Sequence, residues 1–129
     1  FCHYPDSDCP SSGESLKHLL GKNQISNVLL DQYDDEIEIE AECPVSDRIA
    51  DVLATHKGGQ RVAHELQLTS ITEKQVHARS LDYLQEGVDV CWWFGPKVSS
   101  KVREFTVKTY GGAISVTVGI RYAESPDVA

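Results

Sequence analysis

The chain has 129 residues, 40 % apolar and 25 % charged, a globular composition that excludes disorder as the expected state. Its formal net charge of −8 argues at first sight against a phosphate-bearing partner. The excess acid is local, however: Asp31, Asp34, Asp35, Glu36, Glu38, Glu40, Glu42 and Asp47 fall in a stretch without Lys or Arg, and the remainder is balanced. That run reads as a solvated strand edge that repels edge pairing.

No apolar run approaches the length of a membrane span and no basic-then-apolar leader opens the chain, so no membrane partner is expected. The start "FCHYPDSDC" lacks Met and reads as a fragment or processed product, with residues 1–129 forming one domain and 1–12 the remnant of an upstream segment. Cys2, Cys9, Cys43 and Cys91 are unevenly placed, which points away from a disulfide framework and towards a reducing, cytoplasmic setting.

The first predicted element is a helix over about 13–29, whose apolar positions include Leu16, Leu19, Leu20 and Val28. Glu14, His18 and Lys22 are spaced to share one face of it. "EIEIEAE" alternates, with Ile37, Ile39 and Ala41 on the inner side, and Pro44 is expected to stop that strand. "RIADVLAT" and "RVAHELQLT" are strands around "HKGGQ", where glycine supplies a positive φ. Ser70 and Glu73 have capping-box spacing and open a helix that Gly87 terminates, with Gln75, Arg79 and Tyr83 on one face. "VDVCWWF" reads as a central strand covered on both sides, with Trp92 and Trp93 on opposite faces. A shorter helix in "SSKVREFTVKTY" ends at Gly111 and Gly112, and "AISVTVGIRY" makes a last strand with Ile114, Val116, Val118, Ile120 and Tyr122 inward. The order is α-β-β-β-α-β-α-β, an α/β chain with a mixed sheet flanked by helices.

The chemistry gathers at the hairpin. A three-residue loop, Lys57 to Gly59, sets Thr55 opposite Arg61, Leu53 opposite Ala63 and Asp51 opposite Glu65, with Gln67 on the same face. Two carboxylates this close repel, so one binds a proton or the two share a cation. Asp51 and Glu65 could therefore hold a hard divalent ion, with the Leu66 carbonyl a further ligand and Gln67 orienting a water. The plainer alternative is an exposed hairpin face on which both acids meet solvent.

Asp on the second strand and Glu-x-Gln on the third, within α-β-β-β-α-β, resembles the PD-(D/E)XK nuclease superfamily in its Glu-x-Gln variant. Across "SDRIADVLA", "VAHELQLTSIT" and "ARSLDYLQEGVDVCWWF", and in "FCHYPDSDCPSSGESLKHLLGK", the chain is similar to competence protein CoiA-like nucleases. The resemblance implies a restriction-endonuclease-like fold and Mg²⁺- or Mn²⁺-dependent hydrolysis of DNA phosphodiesters. It implies Asp51 and Glu65 as metal ligands, Glu14 as an additional acid acting through water, and Arg79 and Tyr83 touching phosphate or bracing the site. Gln67 stands where most members have Lys; an amide positions water but carries no charge, which Lys22 or Arg79 could lend. His18 and Lys22 complete the candidate substrate-binding set.

The alternative reading is a catalytically weak or inactive nuclease-fold module that binds nucleic acid or a partner protein. A homodimer and a partner domain upstream are compatible with either. Cys2, His3, Cys9 and His18 are zinc-ligand types but match no standard finger, and in CoiA-like proteins Phe-x-His resembles the tail of a preceding finger-like segment. His64 reads as a hydrogen-bonded core histidine, and Cys43 and Cys91 as small buried hydrophobes.

Overall fold

The computed structural model describes residues 16–118. Helix α1 (Leu16–Tyr33) leads through a 3₁₀ turn into β1 (Ile37–Val45), β2 (Arg48–His56) and β3 (Arg61–Gln67), followed by α2 (Glu73–Gln85), β4 (Asp89–Phe94), α3 (Ser100–Tyr110) and β5 (Ile114–Ser115). The strands form one sheet in the order β1-β2-β3-β4-β5. The first three are antiparallel neighbours, while β3, β4 and β5 run parallel because α2 and α3 serve as crossovers. The element order and mixed sheet are those expected from the sequence.

Two layers cover the sheet. Ile25 and Leu29 of α1 pack on Val52, Ala54, Leu66 and Trp93, joined by Val116 and Val118 beyond β5. On the other face, Tyr83 of α2 meets Leu53 and Ala63, and Val76 and Val102 of α2 and α3 enclose Trp92 and Phe94. Trp92 and Trp93 thus lie in opposite layers, and each indole N–H is satisfied: Trp92 donates to Ser80 Oγ (3.0 Å) and Trp93 to His64 Nδ1 (3.0 Å). His64 is a hydrogen-bonded core histidine, although its buried Nε2 has no partner among the described residues.

The hairpin register is the expected one, with Thr55 opposite Arg61 and Leu53 opposite Ala63. The loop closes by His56 N–H donating to Gln60 O (2.8 Å) and Gly59 N–H to His56 O (2.7 Å), and Gly59 takes a φ of 99° that favours glycine.

Several local expectations are corrected. The N-cap of α2 is Thr72, not Ser70: the Thr72 hydroxyl accepts from Gln75 N–H and the Gln75 side chain accepts from Thr72 N–H. Pro44 does not stop β1, because β1 is an edge strand and a missing donor is tolerated on its open side. Helix α1 continues to Tyr33, and its inner face is Gly21, Lys22, Ile25 and Leu29; Leu16, Leu19 and Val28 are exposed, as is Ala41 on β1. Strand β5 is two residues long and Ile114 is exposed, while Ile120 and Tyr122 lie outside the described residues. Cys43 is buried as expected but is disulfide-bonded, and Cys91 is a free cysteine that is only half-buried rather than buried. The acidic run is a strand edge only in part: on the edge strand β1 Glu38 is exposed while Glu40 and Glu42 are half-buried, and Asp31, Asp34, Asp35 and Glu36 lie on α1 and the 3₁₀ turn before that strand.

Gly21 is where α1 comes closest to the sheet. A Cβ there would collide with the Leu66 side chain and lie 3.3 Å from Val118 Cγ2. Gly to Ala in an open helix gains about 1 kcal/mol. Here overpacking against buried Leu66 should reverse the sign, and Gly21→Ala is expected to lose about 1–2 kcal/mol in urea unfolding. A stabilised variant would show that the helix does not approach Leu66 this closely.

Candidate active site

Asp51 and Glu65 lie one step beyond the last rung of the β2–β3 ladder, Val52 opposite His64, where the strands stop exchanging backbone hydrogen bonds. Side chains take over that role. The Leu66 N–H donates to Asp51 Oδ2 (2.8 Å), and the Asp51 N–H donates to Glu65 Oε2 (3.3 Å). Tyr83, fully buried on α2, donates its hydroxyl to the same Glu65 oxygen (2.7 Å). These bonds hold Asp51 Oδ2 and Glu65 Oε2, and the second oxygens of the pair are Asp51 Oδ1 and Glu65 Oε1.

His18 of α1 reaches the same place from the other layer. As the Nε2–H tautomer it donates to the Leu66 carbonyl (3.3 Å), and the same nitrogen is 3.7 Å from Asp51 Oδ1. Gln67 Nε2 donates to the carbonyl and hydroxyl of Thr69 (both 3.1 Å), and Arg79 donates to Gln67 Oε1 (3.4 Å). These groups line a cavity of about 320 Å³ together with Asp47, Arg48 and Ile49 from the β1–β2 corner.

Sequence reasoning missed Arg48. It donates through Nε to Asp82 on α2 (2.7 Å), which holds its guanidinium at the cavity wall. In a regular strand Arg48 and Asp51 would face opposite sides, so alternation hid it. The nearest signal was the Arg79-x-x-Asp82 spacing on α2, one turn of helix carrying one residue for Gln67 and one for Arg48.

Of the expected residues, the structure brings together Asp51, Glu65, Leu66, Gln67, Arg79, His18 and Tyr83. It does not bring Lys22 to the cavity wall. Lys22 is 5 % exposed and its ammonium pairs with Glu42 on β1. Glu14, and Cys2, His3 and Cys9 with their zinc question, lie outside the described residues.

Burial, and then the negative charge of Asp51, push Glu65 from 4.5 up to about 7, against the Tyr83 and Asp51 N–H bonds and the charge of Arg79, which favour the ionised form. Tyr83 is pushed well above its ordinary range by burial and by Glu65. A hard divalent cation fits this donor set: two carboxylates and a carbonyl are all-oxygen ligands, and the cation would favour ionised Glu65. Among the described residues no third Asp, Glu, His or Cys side chain joins them in a metal-binding cluster, so water would complete the shell.

Residues 14–113 match the family described as competence protein CoiA, nuclease-like domain. That match covers most of the chain, which belongs to this family. No curated protein matches the sequence significantly. Among solved structures, a repair endonuclease from Pyrococcus abyssi is similar over 86 % of this chain and 50 % of its own (TM-score 0.52, 16 % identity). An EndoMS protein in complex with double-stranded DNA is similar over 92 % of this chain and 51 % of its own (TM-score 0.50, 13 % identity). At these identities the likeness is one of fold, which is restriction-endonuclease-like, and the chain spans about half the length of each neighbour.

The pKa of Glu65 has a testable consequence. The folded value lies above the unfolded one, so its contribution to stability is complete below about pH 4.5 and is lost as pH rises through about 7. His64 acts oppositely: burial lowers it from 6.5 to about 4, so its contribution is present above about pH 6.5 and is lost as pH falls through about 4. In metal-free buffer, Glu65→Gln is expected to lose less stability than the wild type between about pH 5 and about pH 8 in urea unfolding. Equal losses would show that Glu65 is not the destabilising acid.

Proposed function

We propose that the chain is a metal-dependent nuclease domain that hydrolyses DNA phosphodiesters, with Asp51, Glu65 and the Leu66 carbonyl holding Mg²⁺ or Mn²⁺. The observation that carries this reading is the carboxylate pair. Glu65 is 6 % exposed, sits beside the half-buried Asp51, and among the described residues is held by Tyr83 and a backbone amide rather than by a Lys or Arg ion pair. Membership of a nuclease-like family and the endonuclease fold of its neighbours support the same reading.

When bound, such a cation supplies a water of lowered pKa and stabilises charge on the phosphate in the transition state. The chain's own residues do the rest. Tyr83 and the Asp51 amide fix Glu65, the Leu66 amide fixes Asp51, and His18 covers the oxygens on the α1 side. Arg48 and Arg79, each anchored through one nitrogen, present their remaining N–H groups to a phosphate at the cavity wall. Gln67, whose Nε2 donates to Thr69 and whose Oε1 accepts from Arg79, has one Oε1 lone pair with which to orient a water. The neighbour bound to double-stranded DNA motivates duplex DNA as the first substrate to try.

One observation favours a second reading. The Gln67 amide is committed at both ends and supplies no charge where related sites carry Lys, as suits a module that binds nucleic acid without cutting it.

With Mn²⁺ and plasmid DNA, Asp51→Ala and Glu65→Ala are each expected to reduce cleavage by about a thousandfold, the loss of several kcal/mol of charge stabilisation. Activity unchanged in both variants would be contaminant and would sink the nuclease reading. Binding without cleavage that weakens steeply with salt and ignores Asp51→Ala would favour the second one.

A further inference from the structure

In a regular strand, residues two apart share a face. On β1, Ile37 and Ile39 lie in the α1 layer with Val52 and Ala54 of β2, yet Cys43 and Val45, of the same parity, lie in the α2 layer with Leu53 and Ala63. The same change occurs on β2. Val52 and Ala54 face α1, whereas Ala50 packs in the α2 layer. Both strands therefore switch faces at one level, between Ala41 opposite Val52 and Cys43 opposite Ala50, and the rung at that level, Glu42 with Asp51, is absent from the ladder.

Glu42 is where the β1 backbone makes the switch. Its φ is 55°, in the left-handed region that a residue with a long side chain rarely adopts inside a strand. Its carboxylate is taken by Lys22, whose side chain is 6 % exposed on the inner face of α1. A buried ammonium needs a counter-charge, so the pair has reason to persist and to hold the strained backbone with it.

We propose that the Lys22–Glu42 ion pair is the positioning device of the site: by pinning Glu42 in the left-handed conformation it fixes the face switch and turns Asp51 into the gap between β2 and β3. There the Asp51 carboxylate accepts the Leu66 N–H and stands beside Glu65, instead of pointing with Leu53 into the α2 layer. Lys22 thus acts through β1 on the carboxylate pair without lining the cavity.

The test compares Lys22→Met with two double variants, Lys22→Met/Glu42→Gly and Lys22→Met/Glu42→Val. All three lack the ion pair, and the doubles differ in backbone preference, since glycine adopts a positive φ freely and valine resists it. The first readout is hydrogen exchange of the Leu66 amide relative to other β3 amides, which needs no metal. Exchange is expected to accelerate about tenfold or more in Lys22→Met and in the Val double, and to return close to wild type in the Gly double. The second readout is calorimetric Mn²⁺ affinity, expected to fall about tenfold or more in the first two and to recover in the Gly double.

Wild-type Leu66 protection in the Val double, or equal loss in the Gly and Val doubles, would overturn the proposal. Only the calorimetric readout rests on the metal reading. A wild-type chain that binds no Mn²⁺ would defeat that reading and leave Leu66 exchange to decide this one.

Discussion

Glu65 is a carboxyl group almost removed from water, beside a second carboxyl, and neither burial nor that neighbour favours its charge. A structure can accept such a group by protonating it, by hydrogen-bonding its charge, or by placing a cation next to it. The chain uses the second through Tyr83 and the Asp51 amide, and the third is the role proposed for a divalent ion. The surrounding elements are arranged about that pair. Helix α2 brings Tyr83, Arg79 and Asp82, helix α1 brings His18, and the end of β3 brings Leu66 and Gln67.

The site lies where the regular sheet stops. The β2–β3 ladder ends as carboxylates replace carbonyls as acceptors, and at the same level β1 and β2 exchange faces between the two helical layers. An unbroken sheet would send alternate side chains into one layer or the other. The irregularity is what puts an acid into the plane of the sheet, within reach of both helices. It also explains why Arg48 and Asp51, three residues apart, line one cavity.

Much of this was legible in the sequence, for identifiable reasons. The hairpin register followed from a short glycine loop between two alternating strands, and register alone set Asp51 level with Glu65. The spacing of Arg79 and Tyr83 placed both on the sheet-facing side of α2. The inner face of α1 was not legible, because the chain buries Gly21 and Lys22 there and exposes Leu16 and Leu19, opposite to what apolar periodicity suggests. Nor was the face switch, since a left-handed Glu inside an "EIEIEAE" strand carries no compositional mark. The helix cap missed by two residues because Ser70 and Thr72 are both competent caps, and which one serves depends on where β3 releases the chain.

The metal reading requires that Asp51, Glu65 and the Leu66 carbonyl together hold one divalent cation. The most direct measurement is a crystal structure of the chain grown with Mn²⁺, with the ion located by its anomalous scattering. A single strong peak is expected within bonding distance of an oxygen from each of the three residues. A peak elsewhere, or none at a Mn²⁺ concentration that supports DNA cleavage, would contradict it.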